Sequence, residues 1–209
     1  MRFIHALSYK GADFLMKQLN ENHEKRRVYY FGFQIVIGGI VKGLLLLLLA
    51  LITGTLLPSI TIVLIFSSLR TIAGGYHMDS YGKCISVSIG LFIIAAVISR
   101  YTYHVWNIYA MLTFILLTFS FAFISILKWA PSDNPNRPIT KEDEIKKFKR
   151  LSLLYIFIWL LAVSIALYLK LDMYVLAGCF GVILEVFSIT PFGHRFFDFV
   201  KNGINVVKS

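Results

Sequence analysis

Six long runs of apolar residues divide this chain, at about 29–53, 56–69, 85–99, 106–127, 151–169 and 172–190. A helix that crosses a bilayer needs about 20 such residues. Stretches such as Leu44–Ile52 and Leu151–Leu169 carry no charge at all and lack the broken periodicity of a globular core. Charged residues make up only 15% of the 209, where a soluble domain carries about a quarter, and the mean hydropathy is +0.72. Water cannot be the solvent for most of this surface. The expected architecture is all-α: one membrane domain over 1–209, with an amphipathic segment at 1–27, a bundle of about six transmembrane helices over 29–190, and a cytoplasmic or interfacial tail at 191–209.

The second and third runs are short, and residues 70–84 between them are rich in Gly and polar side chains. They predict either two tilted helices or a partly re-entrant hairpin, which a membrane tolerates where the backbone lines a polar cavity. Near the amino terminus Phe3, Ile4, Leu7, Phe14, Leu15 and Leu19 recur at helical spacing opposite Arg2, Lys10, Asp13 and Lys17. That pattern fits a helix lying in the interface, or one packed on the protein itself. Asp13, Glu21 and Glu24 interrupt this region, so no secretory signal peptide is expected. In the tail, Phe192, Phe196, Phe197 and Phe199 alternate with Arg195, Asp198 and Lys201, again in the manner of an interfacial helix.

The net charge of +10 raises the question of nucleic acid, but Lys and Arg sit in short segments beside the apolar runs and form no continuous basic face. No nucleic-acid partner is expected. Six Lys or Arg fall in 1–27, seven in 128–150, two in 70–84 and three in 191–209, whereas the alternate connections hold only Arg100 and Lys170. The positive-inside rule then puts both termini and the 70–84 loop in the cytoplasm. The loop at 128–150 opens with Pro131, Pro135 and Pro138, and Thr140 followed by Glu142, Asp143 and Glu144 predicts a helix start with an acidic first turn. Its basic residues are either solvated topology determinants or a docking surface for an acidic peptide.

Lys42 and Glu185 are the ionisable residues inside apolar runs, and such residues are functional candidates by default. Counted at about 1.5 Å per residue from the cytoplasmic ends, Lys42 lies roughly 18 Å deep and Glu185 about 8 Å. A contact between them would need helix tilt and the long Lys stem. The two cysteines, Cys84 and Cys179, match no disulfide or zinc spacing, and no metal or organic cofactor is expected. Cys179, among Ala177, Gly178 and Gly181, reads as a small apolar side chain. Cys84 stands where a loop enters an apolar helix, so the free N–H groups of that helix start, with Lys83 adjacent, favour a thiolate and could also hold an oxyanion.

His77 precedes Cys84 by seven residues, about 10.5 Å of rise in an unbroken helix, which is too far for proton transfer. The chain between them must bend. Asp79, Ser80 and Gly82 are turn formers, and Gly74-Gly75 frees the preceding backbone. A His–Cys pair is the minimal machinery of a thiol protease, with Asp79 the nearest carboxylate for a third role. Arg70 is either a topology anchor, a clamp for a substrate carboxylate, or a residue that orders the loop. A different reading keeps His77 and Asp79 as the lining of a small transporter or peptide exporter without proteolytic activity.

Together Arg70, Gly74-Gly75, His77 and Cys84 form an Arg-x3-Gly-Gly-x-His-x6-Cys pattern between membrane segments. This resembles the accessory gene regulator B (AgrB) family, as do the amphipathic amino-terminal segment and the Ala130-Pro131 to Asn136-Arg137-Pro138-Ile139 loop. Members of that family are quorum-sensing membrane peptidases of Gram-positive bacteria that process the AgrD precursor of a cyclic autoinducing peptide. The resemblance implies a thiol endopeptidase, without cofactor, in the bacterial cell membrane. Cys84 would be its nucleophile, His77 its general base, and Arg70 and Gly75 supporting residues. It further implies a Cys84 thioester that closes to a thiolactone or lactone, an AgrD-like precursor as partner, and a homodimer.

Overall fold

The computed structural model describes residues 2–76, 78, 81–132 and 141–206. His77, Asp79 and Ser80, and Pro135, Asn136, Arg137, Pro138, Ile139 and Thr140 of the long loop, lie outside the described residues. Among the described residues eight α-helices succeed one another: α1 (Arg2–Gln18), α2 (His23–Ile52), α3 (Leu56–Ala73), α4 (Tyr81–Thr102), α5 (Ile108–Trp129), α6 (Glu142–Tyr168), α7 (Asp172–Ile189) and α8 (Pro191–Val206). A short 3₁₀ turn at Tyr103–Val105 joins α4 to α5. Among the described residues there is no strand, only an isolated bridge between Gly74 and Ser132.

Helices α2 to α7 are long and apolar enough to cross a membrane, which makes this a multi-pass membrane protein. Their starts have local causes: the Asn22 side chain accepts from the Lys25 N–H at 3.2 Å, and Asn107 accepts from the Ala110 N–H at 2.8 Å. Glu142, Asp143 and Glu144 fill the first turn of α6, which runs unbroken from the charged segment into the fifth span. The two runs that read as short lengthen to 18 and 22 residues, about 27 and 33 Å. They are full spanning helices and not a re-entrant hairpin. Their apolar runs end early because Arg70 and Thr71 occupy the last turns of α3, and Gly82, Lys83 and Cys84 the first turn of α4.

The bundle forms around α7, which is buried along most of its length. Gly178 and Gly181 leave room for Ile65 on α3, and a Cβ on Gly181 would stand 3.0 Å from Ile65 and 3.1 Å from the Ile62 carbonyl. Small residues at such a crossing let two backbones approach, which drives helix association where lipid is as apolar as leucine. The α2 helix instead keeps Leu44, Leu48, Leu51 and Ile52 exposed, as a lipid-facing surface should. Its 30 residues span about 45 Å, more than a bilayer core. The surplus end is covered by α1, which folds back antiparallel: His5 meets Tyr30 and Gln34, while Tyr9 and Asp13 meet Arg26. Ile4, Ser8 and Ala12 are buried against it, and Phe3, Leu7 and Phe14 remain exposed on the other side. The helix therefore packs on the protein and still presents an apolar face.

Candidate active site at the α3–α4 junction

At the end of α3 the chain turns sharply at two glycines. Gly74 has φ +79° and Gly75 φ +143°, values that side chains strongly disfavour. Space forbids a Cβ as well. On Gly74 it would collide with the Ser132 carbonyl, and on Gly75 it would stand 2.5 Å from both Arg70 Nη1 and Ser188 Oγ. The close approach at Gly74 lets the Ser132 N–H donate to the Ala73 carbonyl at 2.8 Å, so the loop after α5 is pinned under the α3 terminus.

Arg70 organises the loop beyond these glycines. Its Nη2 donates to the Tyr76 carbonyl at 2.5 Å. Its Nη1 donates to Glu185 Oε2 at 3.4 Å and to Ser188 Oγ at 3.2 Å, and the guanidinium lies 5.6 Å from the Phe66 ring centroid. The Tyr76 N–H donates to the Ser188 carbonyl at 3.1 Å. Both sides of Tyr76 are thus held, one by α3 and one by α7. Glu185 is fully buried, and its ion-pair partner is Arg70, not Lys42, whose contact with it the unequal depths allowed only with helix tilt. Lys42 lies 5.5 Å from the Phe92 ring centroid on α4. The difference arises because pairing depends on which helices cross, and α3 crosses α7 at the level of Arg70.

The tail helix closes the other side of the loop. Tyr76 donates its hydroxyl to Asp198 Oδ1 at 2.6 Å, stacks on Phe197 at 5.3 Å and meets His194 edge-on at 5.3 Å. Lys83 Nζ donates to the Lys201 carbonyl at 3.5 Å. Nothing in the residue pattern marks Tyr76, Ser188 or Phe197 as site residues; the one signal for Tyr76 is its place between Gly75 and His77.

Cys84 lies in the first turn of α4, partly exposed, while Cys179 is buried, and both are free thiols. A cavity of about 260 Å³ opens on Cys84 and is bounded also by Arg70, Tyr76, Ser88, Lys42 and Phe197. Arg70, Tyr76 and Cys84 therefore share one chamber. Gly74 and Gly75 make the turn between Arg70 and Tyr76, and Lys83, beside Cys84, is tied to α8. Among the described residues, no three His, Cys, Asp or Glu side chains gather into a metal-sized group. A thiol at a helix start, in a chamber that also bears Arg70 and Lys42, can attack a carbonyl and steady the oxygen of the adduct through helix N–H groups.

Gly75→Ala should distort this chamber, because the strained φ costs on the order of 1–3 kcal/mol and the methyl must displace Arg70 or Ser188. We expect a thermal unfolding midpoint in detergent lowered by several degrees, together with faster proteolysis of the α3–α4 loop. An unchanged midpoint and cleavage pattern would contradict the close approach of Arg70 and Ser188 to Gly75.

A family model described as accessory gene regulator B matches residues 8–189. A Clostridium perfringens (strain 13) protein named AgrB-like protein 2 is 25% identical over 191 residues, covering 88% of this chain and 89% of its own length. AgrB-like proteins of Listeria innocua and Listeria monocytogenes serotype 4b are each 26% identical over 191 residues, covering 90% of this chain and 89% of theirs. No solved structure matches the chain. With the match running from the amphipathic helix through the last spanning helix, the chain belongs to the accessory gene regulator B family.

Proposed function

We propose that this chain is a membrane-embedded cysteine endopeptidase that cuts the carboxyl-terminal part from an AgrD-like autoinducing-peptide precursor in quorum sensing. The observation that carries this reading is Cys84, partly exposed at the start of α4 and open to a chamber walled by Arg70 and Tyr76. In the proposed reaction the Cys84 thiolate adds to the scissile carbonyl carbon, the C–N bond breaks, and the leaving amine takes the proton that His77 accepted from the thiol. The acyl group stays on Cys84 as a thioester. An internal Cys or Ser of the precursor then displaces Cys84 Sγ, closing a thiolactone or lactone and returning the free thiol. Arg70, Gly74 and Gly75 shape the loop, Asp79 is the candidate orienting carboxylate, and Lys83 adds positive charge at the helix start. The family supplies the precursor class as substrate, and a homodimer in the bacterial cell membrane is part of the proposal.

The direct test uses the chain reconstituted in sealed liposomes with a candidate precursor. A shortened product and a mass adduct on Cys84, sensitive to hydroxylamine as a thioester should be, are the expected results. A transporter would instead move the peptide into the lumen at unchanged mass.

The proposed orientation has both termini and the catalytic loop in the cytoplasm, where basic residues concentrate and a newly made precursor is met. A Cys placed at position 135 in a variant lacking Cys84 and Cys179 should resist an impermeant maleimide applied to intact cells and react after lysis. Labelling from outside would reverse the topology.

A further inference from the structure

Arg70 is already engaged by Glu185, Ser188 and the Tyr76 carbonyl, so the other cation facing the chamber, Lys42, gains importance. Lys42 lies ten residues before the end of α2 at Ile52, about 15 Å along the helix and hence near the bilayer centre. A charge there is expensive unless it is paired or lines a polar cavity. Among the described residues no carboxylate lies within ion-pair distance of Lys42, and its contact is with the face of Phe92. Phe66 meets Phe92 edge-on at 4.9 Å, and both line the chamber.

Cys84, Ser88 and Phe92 recur at intervals of four and share one face of α4, all bordering the same cavity. Eight residues of helix place Phe92 about 12 Å from Cys84 along the axis. The lining therefore runs along this face of α4, with Cys84 in its first turn and Lys42 over the Phe92 ring two turns further on.

We propose that Lys42 is the inner end of a substrate subsite and receives a carboxylate carried by the peptide close to the bond attacked by Cys84. The inference deepens the endopeptidase reading and rests on it. An extended peptide advances about 3.3 Å per residue, so an Asp or Glu within two residues of the attacked carbonyl brings its carboxylate to Lys42. In a site of low dielectric the pairing both orients the peptide and rejects uncharged side chains at that position.

The test measures charge selectivity at Cys84 in a Cys179→Ala background, in nanodiscs of phosphatidylcholine alone. Iodoacetate and iodoacetamide are nearly isosteric and attack the same thiolate, so their rate ratio cancels any change in thiol reactivity. Lys42→Met should lower the iodoacetate-to-iodoacetamide ratio about tenfold, and Lys42→Arg should preserve it. A short Glu-containing peptide should protect Cys84 better than its Gln counterpart in the parent chain, and no better in Lys42→Met. Brisk alkylation at a ratio unmoved by Lys42→Met, or equal protection by the two peptides, would overturn the subsite and leave the nucleophile standing. A Cys84 that neither reagent modifies would overturn both.

Discussion

Replacing Cys84 by Ala is expected to lower precursor cleavage at least about a thousandfold, because among the described residues no other thiol borders the chamber to form the thioester on which the proposed reaction depends. Cys84 is only partly buried, so loss of its sulfur opens little cavity and the chain should express and fold as before. Cys179 provides the control. It is fully buried among α7 neighbours and lies outside the chamber, so Cys179→Ala should leave cleavage within about twofold and cost at most a small packing term. Cleavage rates of the two variants in liposomes, normalised to the folded fraction, decide the matter. Parent-like activity in Cys84→Ala would remove the thiol mechanism, and the Lys42 subsite would lose its chemical purpose.

The second large effect concerns stability. Arg70→Leu leaves the Glu185 carboxylate at zero exposure without its cation, a change that costs about 3–5 kcal/mol in buried pairs. The lower figure is apt, since the Arg70 side chain keeps 26% exposure. Glu185→Gln retains shape and hydrogen-bonding capacity and should cost less, about 1–2 kcal/mol. The informative variant is the double replacement Arg70→Met with Glu185→Leu, which removes both charges and should recover most of the lost stability. Cleavage should remain low in that variant, because the Tyr76 carbonyl has lost its donor from α3 and the loop leading to Cys84 is no longer held. Unfolding midpoints in detergent, read beside cleavage rates, separate the two roles. A double variant that recovers both would make the ion pair a matter of stability alone, and an Arg70→Leu chain as stable as the parent would remove even that.

Much of the architecture was legible in the sequence because a bilayer leaves few choices: apolar runs of adequate length must be helices, and six of them appear where the runs lie. The position of Cys84 at a helix start was legible too, since the change from Gly and polar residues to an apolar run marks that start. What the sequence concealed was contact between distant helices. Hydropathy ended the second run at residue 69 and so left Arg70 outside it, although Arg70 is a helical residue one turn from the α3 terminus. Glu185 lies one turn from the end of α7, so matching distances to helix ends would have paired these two. The Gly74-Gly75 pair reads in sequence as freedom to bend, and its other cause, the approach of Ser132 and Ser188, depends on loops and helices more than fifty residues away. His77 and Asp79 fall outside the described residues, and their roles rest on sequence and family.

The family match ends at residue 189, and α8 begins two residues later. Yet the hydroxyl of Tyr76 is held by Asp198, its ring lies on Phe197, and Phe197 forms part of the chamber wall. Loop and tail are therefore thermodynamically linked, and linkage is reciprocal. A peptide that binds more tightly when Tyr76 is docked must strengthen the attachment of α8 by the same factor, and a membrane surface that draws the exposed Phe192 and Phe199 away from the bundle must weaken peptide binding to the same degree. Any ligand of the chamber whose binding depends on a docked Tyr76 is in this way coupled to whatever holds α8 in place.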